Sequence, residues 1–430
     1  MYSIPSDHFW LIHAAVPVSL LPDLGYIPDR ENLGIVNLEI NQGQIVQVSD
    51  RLPESTSTPV IDLQNNLVLP CFVDIHTHLD KGHSWPRTPN PDGSFDGAIQ
   101  AINYDHQFWQ PEELYARMEF GLKCSYAHGT KALRTHLDLL PDLTDQSLAV
   151  FKALQHSWRD RLELQPAALV QLSAWQGEAG EQLAAKIAEI GGAIGGLVMP
   201  NQLENLERVF NLAQHFQLDL DFHVDETGDP ESNALEQVAK IAIAQKFGGK
   251  ILCGHCCNLS VQEEDLADQV IYLVKQANIQ IVSLPACNLY LQDRQVNQTP
   301  RWRGVTLLHE LKAAQVPIAI AHDNARDPFY GFGDHDLLEI FRLAVQIAHL
   351  DMPYGDWINS ITQVPAQIMD LEAKLLPGTT ADLIIFNARS YSELLARPQS
   401  DRLILRRGQK IHPELPSYRE LDLALGLLPT

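Results

Sequence analysis

Residues 67–80 read LVLPCFVDIHTHLD, an apolar run that ends in two histidines one residue apart. The run 67–75 is short, continuous and rich in β-branched and aromatic residues, which is typical of a buried strand. Alternate side chains of a strand point to the same face, so His76 and His78 present their imidazoles on one side, with backbones roughly 7 Å apart. A lone His-x-His pair also arises by chance on surface strands, so its meaning depends on what the rest of the chain supplies.

Seven further apolar runs follow, separated by stretches such as 111–126 and 233–245 that have helical periodicity. The runs cover residues 131–137, 167–172, 193–199, 218–224, 250–254, 279–284 and 317–321. Parallel strands need crossover connections, so eight strands that alternate with helices favour a parallel barrel over a doubly wound sheet. The predicted fold class is therefore α/β, a (β/α)8 TIM-type barrel.

The two ends of the chain have a different pattern. Residues 35–48 predict two short strands around the turn Asn41-Gln42-Gly43, and residues 381–387 and 403–411 alternate like strands, with Gly408 as a turn. Two short β-rich segments cannot each bury a core alone, so we expect them to pair into one small β-module. The predicted domains are residues 1–66 and 372–430 for the two parts of this module and 67–371 for the barrel.

Composition excludes several classes of protein. The chain of 430 residues has 31 Lys and Arg against 54 Asp and Glu, a net charge of −23, which argues against nucleic acid or an anionic membrane as a partner. No apolar run reaches the length of a membrane span, and the N-terminus lacks the basic region of a signal peptide. Six cysteines are too few for a disulfide scaffold, and the pair Cys253 and Cys256 has no second pair to complete a structural zinc site. We expect a cytoplasmic protein whose cysteines are packing residues.

Polar side chains follow six of the eight predicted strands, and barrel active sites lie at the carboxyl ends of the strands. His223 after the fifth strand and Asp323 after the eighth would complete a site of three nitrogens and one oxygen with His76 and His78. Such a ligand set suits zinc or iron and leaves open positions for water. Taken singly, His223 could be a core histidine and Asp323 a helix N-cap.

The order His76-Thr77-His78, His223, His255, Asp323 resembles the amidohydrolase superfamily, and Gly378-Thr379-Thr380-Ala381-Asp382-Leu383-Ile384 resembles its closing strand motif. Members of that superfamily join the two chain ends in a β-sandwich, so the resemblance implies that the small β-module is one. The closer resemblance, over about residues 65–390, is to bacterial cytosine deaminase and its relatives. Its motifs are His78-Leu79-Asp80, Arg134-Thr135-His136-Leu137-Asp138, His223-Val224-Asp225-Glu226, Asn288-Leu289-Tyr290-Leu291-Gln292-Asp293-Arg294, Arg303-Gly304-Val305-Thr306 and His322-Asp323-Asn324.

The resemblance implies a role for each matching position. It makes His76, His78, His223 and Asp323 the metal ligands, Glu226 the proton shuttle to a ring nitrogen, His255 a hydrogen-bond partner of the attacking oxygen, and Gln176 the reader of a ring carbonyl. No lysine falls at the end of the third or fourth strand, where binuclear relatives place a bridging lysine. One divalent metal ion, zinc or iron, is therefore expected.

Three pocket positions depart from the cytosine deaminase pattern: Asn324, Phe329 and Lys81. Lys81 directly after His-Thr-His-Leu-Asp is more similar to the triazine-hydrolysing relatives, and a cation there, or at Arg134, predicts a substrate richer in oxygen or negative charge than cytosine.

The predicted function is hydrolytic deamination of a pyrimidine- or triazine-like ring, with a small nitrogen heterocycle as the partner and a homo-oligomer possible in principle. An amidohydrolase acting on a cyclic amide or an N-alkylaminotriazine is the alternative, and a non-catalytic binding protein is a third hypothesis.

Overall fold

The computed structural model describes residue 4 and residues 7–23, 25–54, 57–198 and 203–427. The described strands are β1 His8–Pro17, β2 Leu33–Asn41, β3 Gln44–Ser49, β4 Val60–Asp62, β5 Val68–Pro70, β6 Phe72–Thr77, β7 Thr130–Asp138, β8 Glu163–Leu169, β9 Ile194–Val198, β10 Leu220–Val224, β11 Ile251–His255, β12 Ile279–Ser283, β13 Ile318–Ile320, β14 Leu383–Ile385, β15 Leu403–Arg406 and β16 Gln409–Lys410. The helices are α1 Phe95–Asp105, α2 Pro111–Ala127, α3 Thr144–Trp158, α4 Gly177–Glu189, α5 Leu203–Phe216, α6 Ala234–Gln245, α7 Glu264–Gln276, α8 Pro285–Leu291, α9 Leu308–Ala313, α10 Leu337–Ala348, α11 Gln363–Ile368 and α12 Tyr391–Leu395.

The chain divides into two compact units. One consists of Met1–Val73, Tyr126–Lys131 and Ala344–Glu414, and the other of Asp74–Ser125, Ala132–Leu343 and Leu415–Thr430.

The larger unit carries the strands that alternate with helices. β6, β7 and β8 are neighbours in a three-stranded sheet, and β9 to β13 follow one another in a five-stranded sheet whose pairs are parallel. Single parallel bridges link the two sheets, from Ala167 to Ala193 at one edge and from Thr77 to Asp323 at the other. The predicted α/β fold of TIM-barrel type is confirmed, with its strands in chain order.

Six of the eight predicted strands agree with the structure to within two residues at each end, and the other two differ more. The run 67–75 is divided at Cys71, because β5 before it pairs antiparallel with β14 while β6 after it joins β7. The third strand, β8, begins at Glu163, earlier than the predicted residue 167, and Pro166 lies within it opposite Thr135. A proline has no N–H to donate to a neighbouring strand, so prolines are uncommon inside central strands. The sequence pattern therefore predicted that the strand begins after Pro166.

The smaller unit contains two four-stranded sheets, in the orders β3-β2-β1-β4 and β16-β15-β14-β5. β5 comes from the N-terminal part of the chain and β14 from the C-terminal part, so the two ends share one sheet. Both predicted turns are present: Gly43 and Gly408 have φ angles of 79° and 71°, which a glycine adopts without strain. The exact domain boundaries stay a prediction.

All six cysteines are free thiols with buried side chains, which is what packing residues require. Burial raises the pKa of Cys71 to about 12 and the pKa of Cys253 well above its usual value. Of the helices that the structure describes, none combines the length and the apolar character needed to cross a bilayer.

Candidate active site

The carboxyl ends of four strands bring the predicted polar side chains together in the larger unit. His76 lies in β6 and His78 directly after it, His223 lies in β10, His255 ends β11, and Asp323 follows β13. The backbone N–H of Asp323 donates to the His76 carbonyl at 2.8 Å, which places the aspartate beside β6. All five side chains are at most 6% exposed. The predicted ligands are thus close to one another although they are far apart in sequence.

The distances between these side chains fit a shared metal ion. Nε2 of His78 lies 3.3 Å from Nε2 of His223 and 3.1 Å from Oδ1 of Asp323, and Nε2 of His76 lies 3.5 Å from the same Oδ1. Two ligands roughly 2.1 Å from one ion in tetrahedral geometry are about 3.4 Å apart. These three distances are close to that spacing. The groups whose ligand atoms all lie within 4.8 Å of one another include His76, His78, His136 and His223, and His76, His255 and Asp323.

The hydrogen bonding and protonation of these histidines point the same way. Neither ring nitrogen of His76 has a hydrogen-bond partner among the described residues, an expensive arrangement for a buried polar group. Burial, and then the neighbouring imidazoles, lower the pKa of His76 and of His223 well below the usual value. Neutral imidazoles keep a lone pair for a cation, so the clusters of histidines and Asp323 could hold a metal ion.

Glu226 and His255 lie beside this cluster and are held by Asn288. Nδ2 of Asn288 lies 3.2 Å from Oε1 of Glu226 and 3.0 Å from Nδ1 of His255, and Glu226 and His255 are 3.3 Å apart. Burial, and then the charge of Asp323, raise the pKa of Glu226 well above its usual value, which favours the protonated carboxyl that a proton donor needs. Asn288 was quoted in a sequence motif but given no role, and it joins the site as a positioning residue.

A cavity opens above these side chains. Its volume is about 190 Å³, and it is open to solvent at its mouth. Lys81, Asn324 and Phe329, the residues predicted to contact substrate, line it together with His78, His223, Glu226, His255 and Asp323.

Gln176 does not reach this cavity, whereas Gln171 lines it. Nε2 of Gln176 donates to Oδ1 of Asn205 at 2.8 Å on the surface. β8 ends at Leu169 and the chain turns into a 3-10 helix at Leu172, so Gln171 is the polar residue nearest the strand end. The sequence placed this strand end about three residues too late, and the glutamine that it named for substrate binding lies outside the cavity.

Lys81 and Arg134, the two cations singled out from the sequence, have different environments. Nζ of Lys81 donates to Oδ1 of Asp138 at 2.8 Å within the cavity lining. Arg134 instead donates to Oδ2 of Asp221 at 2.8 Å and to Gln165, in a buried structural pair. Of the two, only Lys81 is placed to contact a substrate.

His136 is a buried imidazole that the sequence analysis quoted without a role. Its ring centroid lies 4.0 Å from that of His76, and its Nε2 is 3.0 Å from Oδ1 of Asp221. It belongs to the same group of four histidines as His76, His78 and His223. Its position at the end of β7, the second barrel strand, was the signal that could have identified it.

Comparisons with known proteins agree with this geometry. The amidohydrolase family matches residues 126–409. The chain is 44% identical over 428 residues to a pterin deaminase of Rhizobium rhizogenes, with 97% of each chain covered. It is 24% identical to an N-isopropylammelide isopropyl amidohydrolase of Pseudomonas sp., covering 85% of this chain and 90% of that one. A crystal structure of 5-methylcytosine deaminase from Klebsiella pneumoniae, with 5-fluorocytosine bound, superposes with a TM-score of 0.81 at 24% identity and covers 94% of this chain and 98% of that one.

Proposed function

Because the chain belongs to the amidohydrolase family and is a hydrolase of carbon–nitrogen bonds, we propose that it hydrolytically deaminates a pterin, a 2-amino-4-oxo pyrimidine fused to a second ring. The observation that carries the proposal is 44% identity with a pterin deaminase along nearly the whole chain. The buried histidines and Asp323, with Glu226 beside them, provide the chemistry that such a reaction needs.

One divalent ion, zinc or iron, would be held by His76, His78, His223 and Asp323. When bound, such an ion supplies Lewis-acid activation of water at neutral pH. The donor set of three neutral imidazoles and one carboxylate suits either metal.

The side chains around this position divide the remaining work. Asp323 accepts a proton from the attacking water, and Glu226 donates a proton to the ring nitrogen next to the carbon under attack. His255, fixed through Nδ1 by Asn288, hydrogen-bonds the oxygen that becomes the new carbonyl. The proton held by Asp323 then passes to the amino group, the carbon–nitrogen bond breaks and ammonia leaves. The hydroxyl proton returns to Glu226, and the oxygen of the new carbonyl comes from water. A positioned proton donor of this kind contributes roughly 10²–10⁴ in rate.

The substrate ring would be oriented by the rest of the lining. Lys81 lies 5.2 Å from the centre of the Phe329 ring and is held by Asp138. An ammonium group there suits a ring carbonyl, and an aromatic side chain beside it suits the face of a flat heterocycle. Gln171, which lines the same cavity, takes the carbonyl-reading task that the sequence gave to Gln176.

An N-alkylaminotriazine is the second candidate substrate. It is supported by Lys81 after His-Thr-His-Leu-Asp and by the 24% identity with the N-isopropylammelide hydrolase. Cytosine is the weaker choice, since Asn324 and Phe329 line the cavity and both depart from the cytosine deaminase pattern.

A panel of substrates tests the proposal. Metal-replete protein is incubated with pterin, isocytosine, cytosine and N-isopropylammelide, and ammonia and isopropylamine are measured separately. We expect ammonia from pterin at the highest kcat/KM. Isopropylamine release from the triazine with no ammonia from pterin would overturn the proposal and support the second candidate.

A further inference from the structure

The cavity has a wall that the reaction itself does not use, formed by one face of α1. Phe95, Ile99, Ile102 and Asn103 line the cavity from this helix. Their spacing of four, seven and eight residues from Phe95 places them on the same side of a helix. Ile99 is 37% exposed, so it is accessible to a molecule in the cavity. Three of the four side chains on this face are apolar, and Asn103 is the polar one.

Three leucines add further apolar lining to the same cavity. Leu140, Leu169 and Leu197 line it and come from the carboxyl ends of β7, β8 and β9, three consecutive strands. The proposed catalytic and ligand residues come instead from β6, β10 and β11 and from the segment after β13. The proposed catalytic residues and most of the aliphatic lining therefore come from different strands, although Asp138, His106 and Gln171 are polar members of the lining near the aliphatic residues.

The α1 wall is fixed at both ends. At the N-terminus, Oγ of Ser94 accepts from the N–H of Gly97 at 2.9 Å, and Nδ2 of Asn90 donates to the carbonyl of Pro328 at 2.9 Å, next to Phe329. At the C-terminus, Asp105 accepts two hydrogen bonds from Arg87, at 2.8 and 2.9 Å. A wall held in this way is preformed, so it can select substrates by shape at little cost in ordering.

We propose that α1 and the carboxyl ends of β7, β8 and β9 form an apolar subsite for the part of the substrate remote from the reacting amino group, and that Ile99 limits its depth. The inference rests on the proposed function and makes it more specific: the preferred substrate has a second ring, with room for a small alkyl substituent on it. Burial of the carbon edge of the second ring, and of an alkyl substituent on it, against aliphatic side chains is favourable in proportion to the apolar area removed from water. A one-ring substrate would leave this region filled with water and lose that gain.

Two substitutions of Ile99 test the subsite because they change its size without touching the reacting groups. Ile99→Trp fills the region, and we expect kcat/KM for pterin and 6-methylpterin to fall by about 10–200-fold, the range set by steric changes in apolar pockets, while kcat/KM for isocytosine stays unchanged. Ile99→Ala deepens the region and should raise the ratio of kcat/KM for 6-methylpterin over pterin. Tyr104→Ala, a change at a 60% exposed position of the same helix, serves as the control and should alter none of the three.

The outcomes separate this inference from the proposed function. If the native enzyme deaminates none of the three rings, the proposed function is overturned and the subsite with it. If pterin is deaminated but Ile99→Trp lowers kcat/KM for isocytosine as much as for pterin, the subsite alone is refuted. Turnover of pterin without turnover of isocytosine by the native enzyme supports the subsite, since the second ring is then required for productive binding. Thermal unfolding of each variant, compared with the native enzyme, shows whether a loss of activity comes from misfolding.

Discussion

Asp225 and Glu226 are neighbouring carboxylates with different tasks. Asp225 accepts from the Oγ of Ser232 at 2.5 Å and from the N–H of Leu235 at 2.9 Å, and so caps the start of α6. Glu226 points into the cavity. The alternation of a strand predicted that the two would face opposite ways, but it could not say which one faces the site, and the family motif supplied that choice.

The Glu226→Gln variant tests the proposed proton donor. Glutamine keeps the size and the hydrogen bond from Asn288 but cannot deliver the proton, so we expect kcat to fall by roughly 10²–10⁴ with the fold and bound metal unchanged. Steady-state kinetics on pterin and metal analysis of the purified variant are the measurements. Glu231→Gln, an exposed change in the following loop, is the control. Unchanged turnover in Glu226→Gln would remove the role.

The His223→Ala variant tests the ligand set. Loss of one imidazole leaves two histidines and Asp323, so we expect bound zinc or iron per chain to fall at least tenfold after dialysis, with loss of activity. Outer partners of metal ligands alone are worth about 10–100-fold in affinity, so removing a ligand should cost no less. His215→Ala, at an exposed position of α5, should keep its metal. Full metal content in His223→Ala would show that the ion, if any, lies elsewhere.

The residues of the candidate site were predictable where a sequence motif coincided with the end of a predicted strand. His76, His78, His223 and Asp323 follow apolar runs directly, so their meeting point followed from the barrel topology. The position of Gln176 was mispredicted because a 3-10 turn separates it from the end of β8, and such a turn leaves no clear periodicity in the sequence.

At the scale of elements, α1 is the feature that the sequence analysis did not identify. It lies in the connection between β6 and α2, where a barrel has no required helix, and at eleven residues it is too short for a strong periodic signal. The spacing of the apolar residues Phe95, Ile99 and Ile102 is the only sequence signal that indicates this helix. The helix depends on anchors outside its own sequence, above all Arg87 against Asp105.

The Asp105→Asn variant tests that anchor. Asp105 is fully buried and accepts from Arg87, Thr88 and Trp109, so neutralising it leaves a largely buried guanidinium short of its partner. We expect a loss of about 3 kcal/mol in the free energy of unfolding at pH 7, measured by urea titration. Asp96→Asn, in the exposed first turn of the same helix, should change it by less than about 0.5 kcal/mol.

The same anchor predicts a pH dependence with a definite sign. Burial raises the pKa of Asp105, but the hydrogen bond from Arg87 and the nearby charge of Arg117 outweigh it and leave the pKa below its usual value. A folded-state pKa below the unfolded value of about 3.9 means that the stabilisation is complete above that pH and is lost as the pH falls through the folded-state pKa. The difference in stability between the native protein and Asp105→Asn should therefore shrink towards pH 3. A difference that grows on acidification would contradict this reading.

At the scale of the whole molecule, the sequence pattern located all eight barrel strands and missed how one run is used. The pattern at 67–75 shows one continuous strand, yet β5 pairs with β14 and β6 joins the sheet of β7 and β8. Hydrophobic periodicity reports burial and not the partner strand, so a run that serves two sheets cannot be divided by it. The type of reaction was predictable because it depends on a few residue types. The identity of the substrate ring was not predictable because it depends on the shape of a cavity.

The buried thiols described for the fold have a practical consequence. The thiolate is the reactive form of cysteine, and in this chain burial holds all six sulfur atoms away from solvent and raises the pKa of Cys71 and Cys253. A brief pulse of iodoacetamide should therefore leave native molecules unmodified and alkylate only those that have opened. Mass spectrometry after such pulses would count the opened fraction directly, and rapid alkylation of the native protein at neutral pH would show that at least one thiol is more accessible than its packing implies.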